Sequence, residues 1–369
     1  MGGEQGAKSL RVGIIGAGSW ARAAHIPGFR ACPGVELAAI CDIDGERAAR
    51  VAAEFGVPGV YSSAADMLDR ERLDVVSVVT PDDAHRADVE RCLAAGAQVL
   101  CEKPLATTVE DAQWLTTAAA DARVQTKLGF TLRFAPAMIH LRQLVADGEI
   151  GTPWHLQAFQ QNGQFLDPAT PYHWKMDRGR TGGGAIVEYG IHTIDLARWI
   201  MGEATRVAAA GRTWIGERPL PGGGIVPVDS DDSTAWMMEF AHGGLGICHA
   251  GWATVGRPPG LELRVYGSRG ALRCVLSDEL ADDQGLWLAG QDGHFRPVAI
   301  PARLNDALLP EGAWWLRWPA HLIARFVAEI ASGQPEGPTF ADGLRAQQIL
   351  AAVIAAMDEN RWVEVSDRV

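Results

Sequence analysis

The sequence predicts an α/β fold with a doubly wound parallel sheet in its first third, followed by an α+β region on a mainly antiparallel sheet. Three observations carry that prediction. Short β-branched apolar runs alternate with helix-like stretches as far as residue 130. A glycine turn, Gly16-Ala17-Gly18-Ser19-Trp20-Ala21, closes the first of those runs. Beyond Arg133 tryptophan and glycine become frequent, and strand-like segments succeed one another past turn signals.

The chain has 369 residues, 47% hydrophobic and 21% charged, which is enough for two domains, placed at residues 1–130 and 131–369. A formal net charge of −12 without long acidic runs argues against nucleic acid or an anionic membrane as partner; a neutral small molecule fits better. No apolar run approaches the roughly 20 residues of a membrane span. The start, Met1 to Gly6, has no basic-then-apolar signal pattern, and Gly6 stands where a myristoylation signal wants Ser or Thr. The six cysteines form no Cys-x-x-Cys, and four lie in or beside apolar runs. They read as reduced core thiols of a cytoplasmic protein with no metal site.

Taken in order, Leu10 to Ile15 is the first strand. After it Gly16 makes the tight turn, Gly18 lets a pyrophosphate reach the backbone, and Ala21 lets helix and strand pack closely, with Ser19 and Trp20 at the same turn. The second strand, Val35 to Cys41, ends in Asp42, whose carboxylate can accept from a ribose 2′-hydroxyl and repels a 2′-phosphate. NAD is therefore favoured over NADP, although Arg47 a turn later pulls the other way. Asp74 to Val79 reads as a buried parallel strand that runs into Thr80-Pro81-Asp82-Asp83-Ala84-His85, where Pro81 and the acidic pair open a helix. Gln98 to Cys101 leads into Glu102-Lys103-Pro104. A lysine there lies at the carboxyl end of a parallel strand, where ligands bind in open α/β sheets, and a cis bond before Pro104 would fix the turn. A helix from Val109 to Asp121 and a strand from Val124 to Phe130 complete the alternation.

In the second region the expected strands are Trp154–Gln160, Ala235–Phe240, Leu245–Trp252, Leu261–Tyr266 and Ala271–Leu276, and two helices, Leu316–Ala331 and Ala341–Met357, close the chain. Pro219 to Gly224 reads as a mobile loop or an intersubunit arm. An open sheet face needs cover, so a homodimer or homotetramer is expected. The run from Gly182 to Asp195 carries the chemistry. As a helix beginning after three glycines it sets Glu188 and His192 one turn apart on one face, about 6 Å along the axis, with Asp195 close by. A carboxylate beside an imidazole suits proton transfer near neutrality. Just before it, Tyr172, His173, Trp174, Lys175 and Asp177 form an aromatic and polar loop, which suits a sugar. Arg133 and Lys127 are further candidates for the site, or else salt-bridged residues.

The Gly16-Ala17-Gly18 turn, Thr80-Pro81 with His85, Glu102-Lys103-Pro104 and the Gly-Gly-Gly run with Glu188, His192 and Asp195 occur in an order that resembles the glucose-fructose oxidoreductase and inositol dehydrogenase (Gfo/Idh/MocA-like) family. The resemblance covers nearly the whole chain. It implies a Rossmann domain that binds NAD or NADP through Gly16, Gly18, Ser19, Trp20, Asp42, Thr80, Pro81, His85, Glu102 and Lys103. It also implies a second domain on a large open antiparallel sheet, with a sugar or polyol held by Arg133, Trp174, Lys175, Glu188 and His192. Lys103, Glu188 and His192 would be the catalytic set. Three positions depart from the family's pattern: Glu188 where Asp is usual, Asp82 where Asn is frequent, and Lys175 where an arginine follows the tryptophan, which exchanges a two-pronged guanidinium for a point charge. The expected activity is hydride transfer between nicotinamide and a secondary alcohol or ketone of a sugar, inositol or derivative. The alternatives are a glycosidase working through transient C3 oxidation and elimination, and a non-catalytic NAD-dependent regulator.

Overall fold

The structure, a computed structural model, describes residues 9–256, 260–280, 284–304 and 314–366. The expectations for Met1 to Gly6 lie outside the described residues. The chain divides into two compact units. One takes residues 9–106, 111–131 and 314–343, the other 107–110, 132–304 and 344–366.

In the first unit six parallel strands form one sheet: β1 (Leu10–Ile15), β2 (Val35–Cys41), β3 (Gly59–Tyr61), β4 (Val75–Val78), β5 (Gln98–Cys101) and β6 (Thr126–Leu128). Their order is β3-β2-β1-β4-β5-β6, so the strand sequence reverses between β1 and β4, the switch point at which such sheets hold ligands. Strands covered on both faces are largely apolar, and β4 is buried along its whole length, Ser77 included.

The helix expected over Leu316–Ala331 in the later region runs from Trp314 to Ser332 and clusters with this unit. The reason is a buried ion pair: Lys127 of β6, 0% exposed, donates to Glu329, 2% exposed, at 2.6 Å and to the Gly337 carbonyl at 2.7 Å. Burial lowers the lysine's pKa, and the Glu329 carboxylate opposes that shift. The next residue's N–H bonds the Pro338 carbonyl at 2.9 Å. A Cβ on Gly28 would fall 2.6 Å from Ile323 Cδ1, so glycine lets the helix Ile26–Arg30 pack here without moving that side chain.

The second unit is built on nine strands, β7 (Pro153–Gln161), β8 (Ala204–Arg212), then β11 (Ser233–Phe240) to β17 (Val363–Glu364), with β9 (Glu217–Pro219) and β10 (Ile225–Pro227) set apart as a hairpin. Between β11 and β17 lie β12 (Leu245–Gly251), β13 (Gly260–Gly267), β14 (Ala271–Ser277), β15 (Gln284–Ala289) and β16 (Arg296–Pro297). The order is β16-β15-β14-β13-β7-β12-β11-β8-β17. The pairings are antiparallel except β7 with β12, which run parallel and make the sheet mixed. Period-two alternation sorts its faces: Ala158, Trp236, Cys248, Leu263 and Cys274 are buried, while Met237, Leu245 and Ile247 point to solvent. The glycine and proline run expected to be a mobile loop is the turn of the β9–β10 hairpin.

All six cysteines are buried free thiols, and burial pushes Cys32 and Cys41 up to about 11. Among the described residues there is no cluster fit to hold a metal ion, and no helix is long and apolar enough to cross a membrane.

Candidate active site

The glycine turn sits at the carboxyl end of β1. Gly16 has φ +97°, and a Cβ there would lie 2.5 Å from the Val79 carbonyl, so β4 admits no other residue. Gly18 differs: a Cβ would meet nothing within 4 Å. The space over its backbone is the kind a pyrophosphate fills. Asp42, 6% exposed at the end of β2, accepts from the Ala17 N–H at 2.8 Å and from Asp44 N–H at 2.9 Å, while Arg47 grips both its oxygens at 2.9 and 2.6 Å. Burial would raise its pKa, but Arg47 and the two N–H groups outweigh burial and hold it below the usual carboxylate range. An ionised acceptor beside an open glycine turn fits the adenosine half of NAD.

Four residues expected to meet the cofactor, Trp20, Thr80, His85 and Glu102, hydrogen-bond to the protein around it. The indole of Trp20 donates to Glu102 at 2.9 Å, and Glu102 is 8% exposed. His85 is 0% exposed with its two ring nitrogens 2.7 Å from the Pro104 carbonyl and 2.9 Å from the Thr80 carbonyl, so the expectation that it touches the cofactor is corrected. It ties the Thr80-Pro81 turn to the end of the Glu102-Lys103-Pro104 segment, whose Lys103-Pro104 bond is cis. Thr80 gives its hydroxyl to Asp88 at 3.0 Å. Ser19 is exposed at the helix start, and Lys103 is half-buried.

In the second unit the triple-glycine run is held by a residue that sequence reasoning missed. Asp231 accepts from Gly184 N–H at 2.7 Å, Ile186 N–H at 2.9 Å and the Thr234 hydroxyl at 2.7 Å, and its own carbonyl takes Ala185 N–H at 2.8 Å. A carboxylate thus satisfies donors that a helix start leaves open. Burial pushes the Asp231 carboxyl up, and those hydrogen bonds pull it back in part. A Cβ on Gly184 would lie 2.2 Å from the Asp231 carbonyl oxygen, which is why this position is glycine.

The helix that follows is not regular. Ile186–Gly190 winds as a π turn before the α-helix Ile191–Met201, so Glu188 and Tyr189 stand on the wide turn and His192 on the first α turn. Glu188 accepts from the Lys175 ammonium at 2.5 Å, and both side chains are roughly a fifth to a quarter exposed, 20% and 24%. Lys175 lies 5.9 Å from the Trp174 ring centre. Tyr189 donates its hydroxyl to Gln164 at 2.5 Å, and burial raises its pKa. His173 accepts the Lys175 N–H through Nδ1 at 3.3 Å. Desolvation and the Lys175 charge lower its pKa, so the ring is neutral near pH 7 with its proton on Nε2.

Lys175, Glu188, Tyr189, Gln164 and His173 are therefore donors and acceptors of one neighbourhood, of which the sequence singled out only the first two as binding residues. Arg133 stands apart from them. Buried at 6%, it gives Nε and Nη2 to the two oxygens of Asp195, the first at 2.7 Å, the salt-bridged alternative to a place in the substrate site. This pair braces the face of the helix three residues beyond His192.

Residues 10–130 match the profile described as "Oxidoreductase family, NAD-binding Rossmann fold", and residues 138–273 match the "GFO/IDH/MocA C-terminal domain". Levoglucosan dehydrogenase of Pseudarthrobacter phenanthrenivorans is 29% identical, over 97% of this chain and 98% of its own. The 1,5-anhydro-D-fructose reductase of Ensifer adhaerens is 30% identical over 81% and 86%. A solved levoglucosan dehydrogenase, in complex with NADH and L-sorbose, superposes with a TM-score of 0.90 at 28% identity, covering 97% of this chain and 99% of that one. These relatives are dehydrogenases and reductases, and they lend no support to the glycosidase alternative.

Proposed function

Because the chain belongs to the GFO/IDH/MocA family of NAD-binding oxidoreductases, we propose that it is an NAD-dependent dehydrogenase of a secondary alcohol on a cyclic polyol, sugar or anhydrosugar. The observation that carries this is the second unit's cluster: Lys175 on Glu188, Tyr189 on Gln164, and His173 on the Lys175 N–H, with Glu188 and Tyr189 on the turn that leads into the helix carrying His192. Short donors and acceptors around an aromatic side chain match a ring with hydroxyls on its rim. The likeness to levoglucosan dehydrogenase supports the same class.

In this reading NAD, held by the Gly16–Gly18 turn and Asp42, supplies the hydride acceptor. The family resemblance gives His192 the role of taking the hydroxyl proton and Lys103 that of steadying negative charge as it develops on oxygen. Glu188, set by Lys175, orients the substrate. In the reverse direction the same groups return the proton to a ketone.

His192→Ala should lower kcat by on the order of a thousandfold while NADH affinity, read by nicotinamide fluorescence, stays within about threefold of wild type. Equal loss of both would make His192 structural and would end the assignment. Turnover should be sought across inositols, aldoses and anhydrosugars with NAD and NADP compared.

A further inference from the structure

We propose that Glu102 is a positioning residue through which the helix of the dinucleotide turn sets Lys103. The proposal rests on the reading of Lys103 as the group that meets the reacting oxygen. Its starting point is a local irregularity in the backbone. Ala21–His25 winds as a π turn, closed by a hydrogen bond from Ile26 N–H to the Ala21 carbonyl, five residues back.

The π turn has a geometrical consequence. On an α-helix residues five apart are separated by about 140° around the axis, because each residue turns roughly 100°. Trp20 and His25 would then face different ways. A π turn winds more slowly and brings them to the same side. Both donate to one atom: Trp20 Nε1 lies 2.9 Å and His25 Nε2 2.8 Å from Oε1 of Glu102.

The other oxygen of that carboxylate accepts the N–H of Lys103 at 3.2 Å. The group is also boxed in sterically, since a Cβ on Gly129 would lie 2.7 Å from Oε2. His25 in turn meets the Ser77 hydroxyl of β4 through Nδ1 at 2.8 Å, and Ser77 and His25 are 0% and 2% exposed. One buried carboxylate therefore joins the segment that follows the glycine turn, β4, and the residue that carries the lysine. Burial alone would raise the pKa of Glu102, but His25, Trp20 and the Lys103 charge hold it at about 2, so it acts as an anion. Three donors occupy most of the acceptor positions of this carboxylate, and through the last of them its influence on the reaction passes to Lys103.

The test is a double-mutant cycle between Glu102→Gln and Lys103→Ala, with Trp20→Phe as a milder variant that removes one donor and keeps the ring. Glu102→Gln should lower kcat by on the order of ten- to a hundredfold, as an ångström-scale misplacement does, and Trp20→Phe by several-fold. The KM for NAD should stay within about threefold in both. In the Lys103→Ala background Glu102→Gln should have almost no further effect on kcat, because the group it acts through is gone. Additive losses would overturn the proposal, as would a raised KM for NAD at unchanged kcat, which is the mark of direct cofactor contact. If Glu102→Gln does not fold, Trp20→Phe decides by the same split. A Lys103→Ala enzyme with full activity would instead sink the underlying role of the lysine, which separates the two failures.

Discussion

Asp42 accepts four hydrogen bonds, and two come from the Arg47 guanidinium. The carboxylate expected to repel a 2′-phosphate thus also keeps the Arg47 guanidinium occupied. Asp42→Asn preserves an acceptor for the Ala17 N–H yet removes the charge that holds Arg47. The ratio of kcat/KM for NAD over NADP should fall by roughly a hundredfold, the size of one or two hydrogen bonds to a charged group. An unchanged ratio in steady-state assays would place selectivity elsewhere. Glu102 offers a second residue-level prediction, in stability. Its folded pKa of about 2 lies below the ordinary 4.5, so its contribution is complete above pH 4.5 and is lost as pH falls towards 2. The stability gap between wild type and Glu102→Gln, measured by urea unfolding, should therefore narrow steadily from pH 5 to pH 3. A gap that does not change with pH would mean that the carboxylate is not held ionised. Residues such as Gly16, Gly18 and Asp42 were legible in the sequence because their roles follow from conformation and charge at fixed spacing. Arg133 and His85 were not, because their partners Asp195 and Pro104 are decided by packing that no local pattern encodes.

At the scale of elements, the strands announced themselves through periodicity and the helix starts through glycine and proline, whereas the two π turns did not. Each inserts one residue's worth of extra winding without a sequence signal, and each stands beside a contact from distant sequence: His25 on Glu102 for the first, and Gly184 on Asp231 for the second. Asp231 itself lies far along the chain from the helix start it satisfies, so a reading that looks for caps next to helices overlooks it. The contact makes a sharp prediction. In Gly184→Ala the new methyl carbon would stand 2.2 Å from a carbonyl oxygen, and β11 and the helix start must separate to admit it. We expect a loss of about 3 kcal/mol in unfolding free energy, at the upper end of overpacking penalties, together with a fall in kcat because Glu188 and His192 ride on the displaced turn. Gly183→Ala offers the softer comparison, since its nearest neighbours are the side chains of Val187 and Ile186. If Gly184→Ala unfolds no earlier than Gly183→Ala in thermal melts, the close approach does not constrain the site.

For the molecule as a whole, the open question is what covers the second unit's sheet. Cross-strand register places Ala208, Met237, Ile247 and Gln157 in one row, and Arg206, Glu239, Leu245 and His155 in the next. Alternate residues, Trp236 and Cys248 among them, point the other way into the core at 2% and 0% exposure. Met237, Ile247 and Leu245 remain 46%, 50% and 51% exposed at the centre of this face, with Arg206 and Glu239 paired at 2.7 Å on its flank. An apolar centre with a charged pair on its flank is the anatomy of a protein interface, and the expected occupant is a second copy of the same chain. Light scattering should accordingly find a dimer or tetramer. Ile247→Lys would set like charges at the centre of such an interface and should yield monomers that keep NADH binding, since the dinucleotide turn belongs to the other unit. A wild-type chain that is monomeric at micromolar concentration would refute the interface, and a variant that stays oligomeric would move it to another surface, for which the β9–β10 hairpin, with Ile225 70% exposed, is the next to mutate.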